Sequence, residues 1–489
     1  MRRVLTAGTV LAAVAAVPLT PVASAAATPY KGANTAAVQD DFNGDGYRDL
    51  VIGAPDAASG GVLKAGAVVV LYGSASGVST AHRQVITPAT AGIPGAPEKN
   101  DRFGQTVTTA DLDRDGYADL IVGTPREDFG LQQGLRGTVT VIWGGPSGLK
   151  GGADIAPPAG YGPDRTYCLF GRSLATGDMN GDGAPELSVG SNCQSVTYTG
   201  PFTRSGKPVS GYLGKGENHS VVMGDVDGDG KAELFSLPGP VQAYSGPLSV
   251  GQDDPAAPMT RLPLAHGWNG QVGDVNGDGY GDLVTGIQYD THFTQDPHGA
   301  HSGGEIQVLY GSAHGITADQ QPVAIHQDTP GVPGVGKDGG QFGSSLSVGD
   351  VNGDKYADVL VGVPWKTVGS AKWAGEAVLL RGSAAGLTGA EATAYTQNTA
   401  GVPGTAETED HFGWAVHLAD LNKDGEAEVV VGTPGENTDG LVWIARGSAG
   451  GPVTNGSAAI SGKSAGLTVR TTDSASGLGA ALPSTAMTR

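Results

Sequence analysis

Apolar positions in this chain fall in short runs, each closed by Gly, Pro, Asn or Asp, and no segment sustains a 3.6-residue apolar period. The runs recur in a fixed order. Phe-Gly opens a unit at Phe103-Gly104, Phe170-Gly171, Phe342-Gly343 and Phe412-Gly413, and a short acidic phrase starts eight residues later. An apolar run ending in Gly-x-Pro follows, as in Leu50 to Pro55, Leu120 to Pro125, Val359 to Pro364 and Val429 to Pro434. Then come a Gly and an alternating run such as Gly66 to Gly73, and a last short run such as Arg83 to Thr87. This predicts four strands per unit and, with seven units and no helix between them, an all-β, seven-bladed β-propeller. The seam has two candidates. Leu478 to Leu482 resembles a further Phe-Gly strand and could complete the first blade, and Thr35 to Gln39 competes for the same place.

The acidic phrase adds chemistry to the pattern. In every copy, offsets 1, 3 and 5 are Asp, Asp or Asn, and Asp, and offset 9 is Asp or Glu. With the backbone carbonyl at offset 7, the predicted ligand sets begin with Asp41, Asn43, Asp45, Tyr47 and Asp49, then Asp111, Asp113, Asp115, Tyr117 and Asp119. The third and fourth are Asp178, Asn180, Asp182, Ala184 and Glu186, and Asp225, Asp227, Asp229, Lys231 and Glu233. The fifth and sixth are Asp274, Asn276, Asp278, Tyr280 and Asp282, and Asp350, Asn352, Asp354, Tyr356 and Asp358. The last is Asp420, Asn422, Asp424, Glu426 and Glu428. Oxygen donors so spaced suit one hard cation, and calcium takes six to eight oxygens at about 2.3–2.6 Å. Up to seven Ca2+ are expected. Polar hairpin turns that never meet a metal are the plain alternative for one copy, and seven copies with one offset pattern speak against it. An EF-hand is excluded, because the twelfth offset reads Ile52, Val122, Val189, Ser236, Thr285, Val361 and Val431 rather than Glu. The loops at Asp111 and Asp225 carry four carboxylates where the others carry three, which predicts tighter binding there.

Charge follows from the loops. Lys and Arg number 29 against 49 Asp and Glu, a net −20, and the loop acids suffice for the surplus. So acidic a chain is not expected to bind nucleic acid, whose phosphates need a basic footprint. Residues 1–25 read as a secretory signal: Arg2 and Arg3, the apolar Val4 to Val17, and Ala23-Ser24-Ala25 as a small-residue cleavage site. Residues 26–489 then form the propeller, secreted and extracellular, with no membrane span and as a monomer. In that setting Cys168 and Cys193, on either side of the third acidic loop, are expected to form a disulfide.

Phe-Gly, the Asp-x-Asn-x-Asp-Gly-x-x-Asp loop and Gly-Ala-Pro at this spacing resemble the FG-GAP repeat, the blade of the integrin α-subunit propeller and of many bacterial secreted proteins. The lead-ins Ala91 to Gly95, Pro330 to Gly334 and Ala400 to Gly404 fit the same resemblance. It implies that the acidic loop joins the first two strands of each blade and binds calcium. The units around Asp225 and Asp274 depart from it, with Glu217-Asn218 and His266-Gly267 where Phe-Gly belongs. The stalk and membrane segments of an integrin chain, and the catalytic domain found beside such repeats in a secreted phospholipase, are not recognisable. Integrin-style signalling is therefore not implied.

Three functions stay open. A calcium-dependent propeller could bind an extracellular protein or glycan, a secreted hydrolase or lyase could act on polysaccharide or lipid through the face opposite the loops, or the protein could be structural. No Gly-x-Ser-x-Gly elbow or His-Glu-x-x-His motif is present, and Gly171-Arg172-Ser173-Leu174-Ala175 is a near miss on a predicted strand. His292, His298 and His301, with Asp290 and Asp296, gather in one insertion and read as a solvated loop with a zinc site as the alternative. On the face away from the acidic loops, Trp365 and Trp373 are the candidates for ligand contact, against packing on their own blade.

Overall fold

The computed structural model describes residues 38–127, 134–158, 161, 167–214, 220–238, 240–241, 244–245, 247–288, 302–337, 339–468 and 476–483. The expected signal segment, Thr35 to Ala37, Glu217-Asn218 and the Asp290–His301 cluster lie outside these residues.

The strands form seven antiparallel sheets in sequence order, the blades of a seven-bladed propeller. Blades 2 to 7 each have four strands. Their first strands are Thr106–Ala110, Ser173–Gly177, Ser220–Gly224, Asn269–Gly273, Ser345–Gly349 and Ala415–Ala419. These strands touch one another in succession and line the axis. The degenerate fourth and fifth units are nonetheless complete, and blade 4 adds a small side hairpin, Pro240–Val241 with Tyr244–Ser245.

Second strands such as Leu50–Ala54 and Asp358–Val363 are buried at every position, because each blade is covered on both faces by its neighbours. Two glycines allow that stacking. A Cβ on Gly362, from Gly-x-Pro, would stand 2.0 Å from the carbonyl oxygen of Gly413, the Gly of the next Phe-Gly. Gly53 and Gly104, Gly123 and Gly171, and Gly286 and Gly343 meet in the same way. The two halves of the sequence motif are thus the two sides of one blade interface, where backbones approach too closely for any side chain.

This contact also identifies the seam. Blade 1 has three strands from its own segment, Leu50–Ala54, Ala67–Leu71 and Arg83–Ile86. Its inner position is taken by the tail: the Gly53 N–H donates to Ala481 O at 2.8 Å and the Gly479 N–H to Gly53 O at 3.0 Å. A Cβ on Gly432 of blade 7 would meet Gly479 O at 2.0 Å, so Leu478-Gly479 stands where Phe-Gly stands elsewhere. Leu478 is buried in a cluster with Leu50, Ile52 and Val442, which ties blade 7 to blade 1.

Candidate metal centres

Six acidic phrases lie between the first and second strands of their blades, and the phrase at Asp41 leads directly into Leu50–Ala54, the second strand of blade 1, so all seven reach the same face of the ring. Local hydrogen bonds shape the loops. Asp111 accepts the N–H of Asp115 at 3.0 Å and of Gly116 at 2.9 Å, and Asp115 accepts the N–H of Tyr117 at 3.1 Å. Asp41, Asp178, Asp225, Asp274, Asp350 and Asp420 curl their loops alike. Short side chains that accept from backbone two to five residues on hold the turn without a helix or ladder.

The offset-9 acids occupy a different place from the others. They begin the second strand, or in blade 1 directly precede it, and are fully buried or nearly so. Asp49 accepts from Phe42 and Gly73, Asp119 from Leu112 and Gly144, Asp282 from Val275 and Gly311, and Asp358 from Val351 and Gly382. In these loops the short Asp pins the third strand to the hairpin. Where the residue is Glu, its greater reach turns the second oxygen back into the loop: Glu186 accepts from Asn180 at 3.0 Å and Glu428 from Asn422 at 2.6 Å.

Burial pushes these carboxyls up, to about 7 for Asp49, Glu186, Asp282 and Glu428 and about 8 for Glu233, with nearby loop acids adding to the rise and backbone donors opposing it. Asp358 rises only to about 6, since the Arg381 guanidinium lies 2.8 Å away. Buried acids crowded by other acids are the donor set that a hard cation relieves. The structure brings the carboxylates of Asp111, Asp113 and Asp115, and those of Asp225, Asp227 and Asp229, within 4.8 Å of one another. Asp113 Oδ1 and Glu233 Oε1 are buried and accept no hydrogen bond. The donors therefore fit a metal ion. In loops 1, 5 and 6 the offset-3 amide donates instead to the offset-5 acid, at 2.9, 2.9 and 2.8 Å.

Sequence reasoning missed a contact between loops. The offset-8 N–H of one loop donates to the offset-1 carbonyl of the preceding one: Ala118 to Asp41, Ala232 to Asp178, Gly281 to Asp225, Ala357 to Asp274 and Ala427 to Asp350. The available signal was the small residue at offset 8, where a Cβ on Gly281 would stand 2.3 Å from Asp225 O. In loop 3 this position is Pro185, which has no N–H to give.

Cys168 and Cys193 are joined, with Cα atoms 4.9 Å apart, at the end of blade 3 away from the acidic loop. Trp365 and Trp373 lie between the second and third strands of blade 6, at the end opposite the acidic loops. Sequence reasoning missed their companions, His411 and Trp414, which come from the connection into blade 7. The Trp365 ring centroid is 5.5 Å from Trp373, 4.6 Å from His411 and 6.1 Å from Trp414. Trp373 is 42% exposed and Trp414 38%. Among the described residues no helix is long and apolar enough to cross a membrane.

Comparison with known proteins agrees with this architecture. The FG-GAP repeat matches residues 33–71, 103–142, 266–309, 342–380 and 412–445, and an FG-GAP-like repeat matches 178–236. A phosphatidylinositol-glycan-specific phospholipase D from Bos taurus is 28% identical over 445 residues, 87% of this chain and 46% of that protein. Integrin alpha-5 from Xenopus laevis is 33% identical over 156 residues, 31% of this chain and 14% of that protein. Each match thus spans less than half of the relative's own length. Among solved structures, an exotype rhamnogalacturonan lyase aligns with a TM-score of 0.43 at 18% identity, over 86% of this chain and 73% of that one, a likeness too loose to bear on function. With its repeats matched and its blades closed in a ring, the chain belongs to the FG-GAP repeat family, as a propeller of the integrin-like type.

Proposed function

We propose that this is an exported calcium-binding propeller that serves as a ligand-binding or adhesion module, with calcium structural in the acidic loops and the ligand met on the opposite face. Residues 1–25 would direct export and 26–489 form the propeller. The partner would be an extracellular protein or glycan, bound by a single copy of the chain. Loop carboxylates, the Asn side chains and the offset-7 carbonyls would hold the cation, which would supply the positive charge that crowded acids lack and so couple metal binding to stability. The disulfide supports an oxidising compartment.

One observation carries the ligand-binding reading. The positions of Trp365, Trp373 and His411 recur between blades 1 and 2 as Asp56, Lys64 and Arg102, with the same backbone bond: the His411 N–H donates to Trp373 O and the Arg102 N–H to Lys64 O. There the three side chains form ion pairs, Arg102 to Asp56 at 2.9 Å and Lys64 to Asp56 at 3.5 Å. The fold is therefore satisfied at this site without aromatic rings. Four rings gathered on an exposed surface are surplus to the architecture and suit a contact surface. The hydrolase or lyase reading has less support, because three buried acids outside the loops are committed to neighbours. Glu376 accepts from Gln327 at 2.8 Å, Glu436 from Gln397 at 2.6 Å, and Asp410 from the Glu407 N–H at 2.5 Å.

Two measurements test the proposal. Thermal melts should shift up with calcium and down with chelator, and identical curves would remove calcium from the account. On a glycan or extracellular-matrix array, the Trp373→Ala/Trp414→Ala variant should lose the signal of the native chain while melting alike. Equal signals from the two proteins would dismiss the aromatic surface, and turnover of a polysaccharide or phospholipid would favour the enzyme.

A further inference from the structure

The two loops richest in carboxylate each already hold a positive side chain. In blade 2, Arg204 reaches over from the turn between the third and fourth strands of blade 3. Its Nε donates to Asp113 Oδ2 at 2.6 Å, and its Nη2 donates to Asp115 Oδ2 and, at 3.3 Å, to Gly144 O. In blade 4, Lys231 Nζ lies 3.2 Å from Asp229 Oδ2 and 3.2 Å from Asp253 Oδ2. Asp253 is no part of the nine-residue phrase; it follows the third strand, Leu248–Gly251. Yet one oxygen each of Asp229, Glu233 and Asp253 lie within 4.8 Å of one another. Among the described residues, Arg381 and Arg446 each pair with a single loop acid, Asp358 and Asp424.

A second observation shows that these built-in cations are incomplete substitutes. Among the described residues, the loop carboxylates with a buried oxygen that accepts no hydrogen bond are Asp113 and Glu233. They belong to these same two loops. The Asp113 side chain is only 8% exposed and Glu233 is fully buried. In each loop, then, the guanidinium or ammonium leaves acceptor capacity unfilled, at Asp113 beside Arg204 and at Glu233, which Lys231 does not reach, and leaving such an oxygen unpaired is costly.

We propose that Asp253 is an additional ligand of the blade-4 cation, and that Lys231 in blade 4 and Arg204 in blade 2 are tethered counter-ions that a divalent cation must displace. Ranking the loops by carboxylate count then inverts. Loops 2 and 4 fill after the three-acid loops, because the incoming ion competes with a charge that is always at hand. Displacing Arg204 also removes one tie between the blade-3 turn and blade 2, leaving the Phe202 N–H to Leu112 O bond at 2.8 Å, so filling of loop 2 is felt at a blade interface. The inference rests on the reading that the acidic loops hold cations.

Terbium soaked at sub-saturating concentration into crystals of the full chain, with anomalous occupancy read loop by loop, tests both together and separates them. Loop 5, at Asp274, is the internal reference, since Tyr280 stands there at the offset of Lys231. Lys231→Gln should raise occupancy of loop 4 relative to loop 5 by about two- to fivefold, the range expected for exposed ion pairs, and leave loop 2 unchanged. Arg204→Gln should do the same at loop 2 only. Asp253→Asn should lower loop 4, and Lys231→Arg should keep the native ratio. Normal filling of loop 5 with loops 2 and 4 indifferent to all four variants would overturn the inference and leave the cation reading intact. Loops that stay empty throughout would overturn both.

Discussion

A histidine at the seam shows how a single residue is priced by its surroundings. His417, on the first strand of blade 7, is buried to 1% exposure, near the Asp40–Arg48 pair, whose N–O distance is 2.6 Å. Burial pushes its imidazole down to about 4, the Arg48 charge adds to the fall, and Asp40 opposes it. The folded protein therefore prefers the neutral ring. The unfolded chain takes up the proton first as pH falls below about 6.5, so the stability tied to this residue is complete above that pH and is lost as pH drops toward 4. The full effect is at most roughly 3 kcal/mol. A His417→Gln variant should lose less stability than the native chain between pH 6.5 and 4, measured by urea unfolding at each pH. Parallel curves for the two proteins would show that this ring does not titrate across folding.

The acidic hairpins act as a chain of elements rather than as seven separate loops. In five of the loops the offset-8 N–H reaches the previous loop, so the backbone of one forms a wall of the next. Ala357→Pro removes the donor that meets Asp274 O at 2.9 Å. Pro185 at the same offset of loop 3 shows that the turn itself accepts proline. The variant should therefore keep its fold and lose about 1–3 kcal/mol, the cost of a carbonyl left without its partner. Denaturant titration reads this directly, and an unchanged midpoint would mean that water replaces the bond at no cost. Offset 9 shows a related division. Asp pins the third strand and Glu turns inward, a difference of one methylene that changes what the hairpin is fastened to.

At the scale of the molecule, closure depends on one short segment far from its partners in sequence. Gly479 and Ala481 bond to Gly53, and Leu478 fills the apolar gap between blades 7 and 1. Without it, the inner edge of blade 1 would offer unpaired backbone groups, a template for pairing with other chains. A chain lacking residues 476–489 should melt at a lower temperature, over a broader range, and run as larger species on size exclusion. A truncated chain with the native melting profile and size would show that another segment closes the ring.

Much of this architecture was legible in the residues alone. The repeat count, the four-strand unit, the placement of the acidic phrases just ahead of the second strands and the pairing of Cys168 with Cys193 follow from local spacing, because turn residues and carboxylates act over a few positions of chain. Three matters were decided only by tertiary packing: which segment fills the inner place of blade 1, which distant cations reach the acids, and which rings join Trp365. Arg204 lies 91 residues from Asp113 and Trp414 belongs to another blade than Trp365. Such contacts are set by how neighbouring blades stack around the axis, and nothing in the local pattern of either partner encodes that distance.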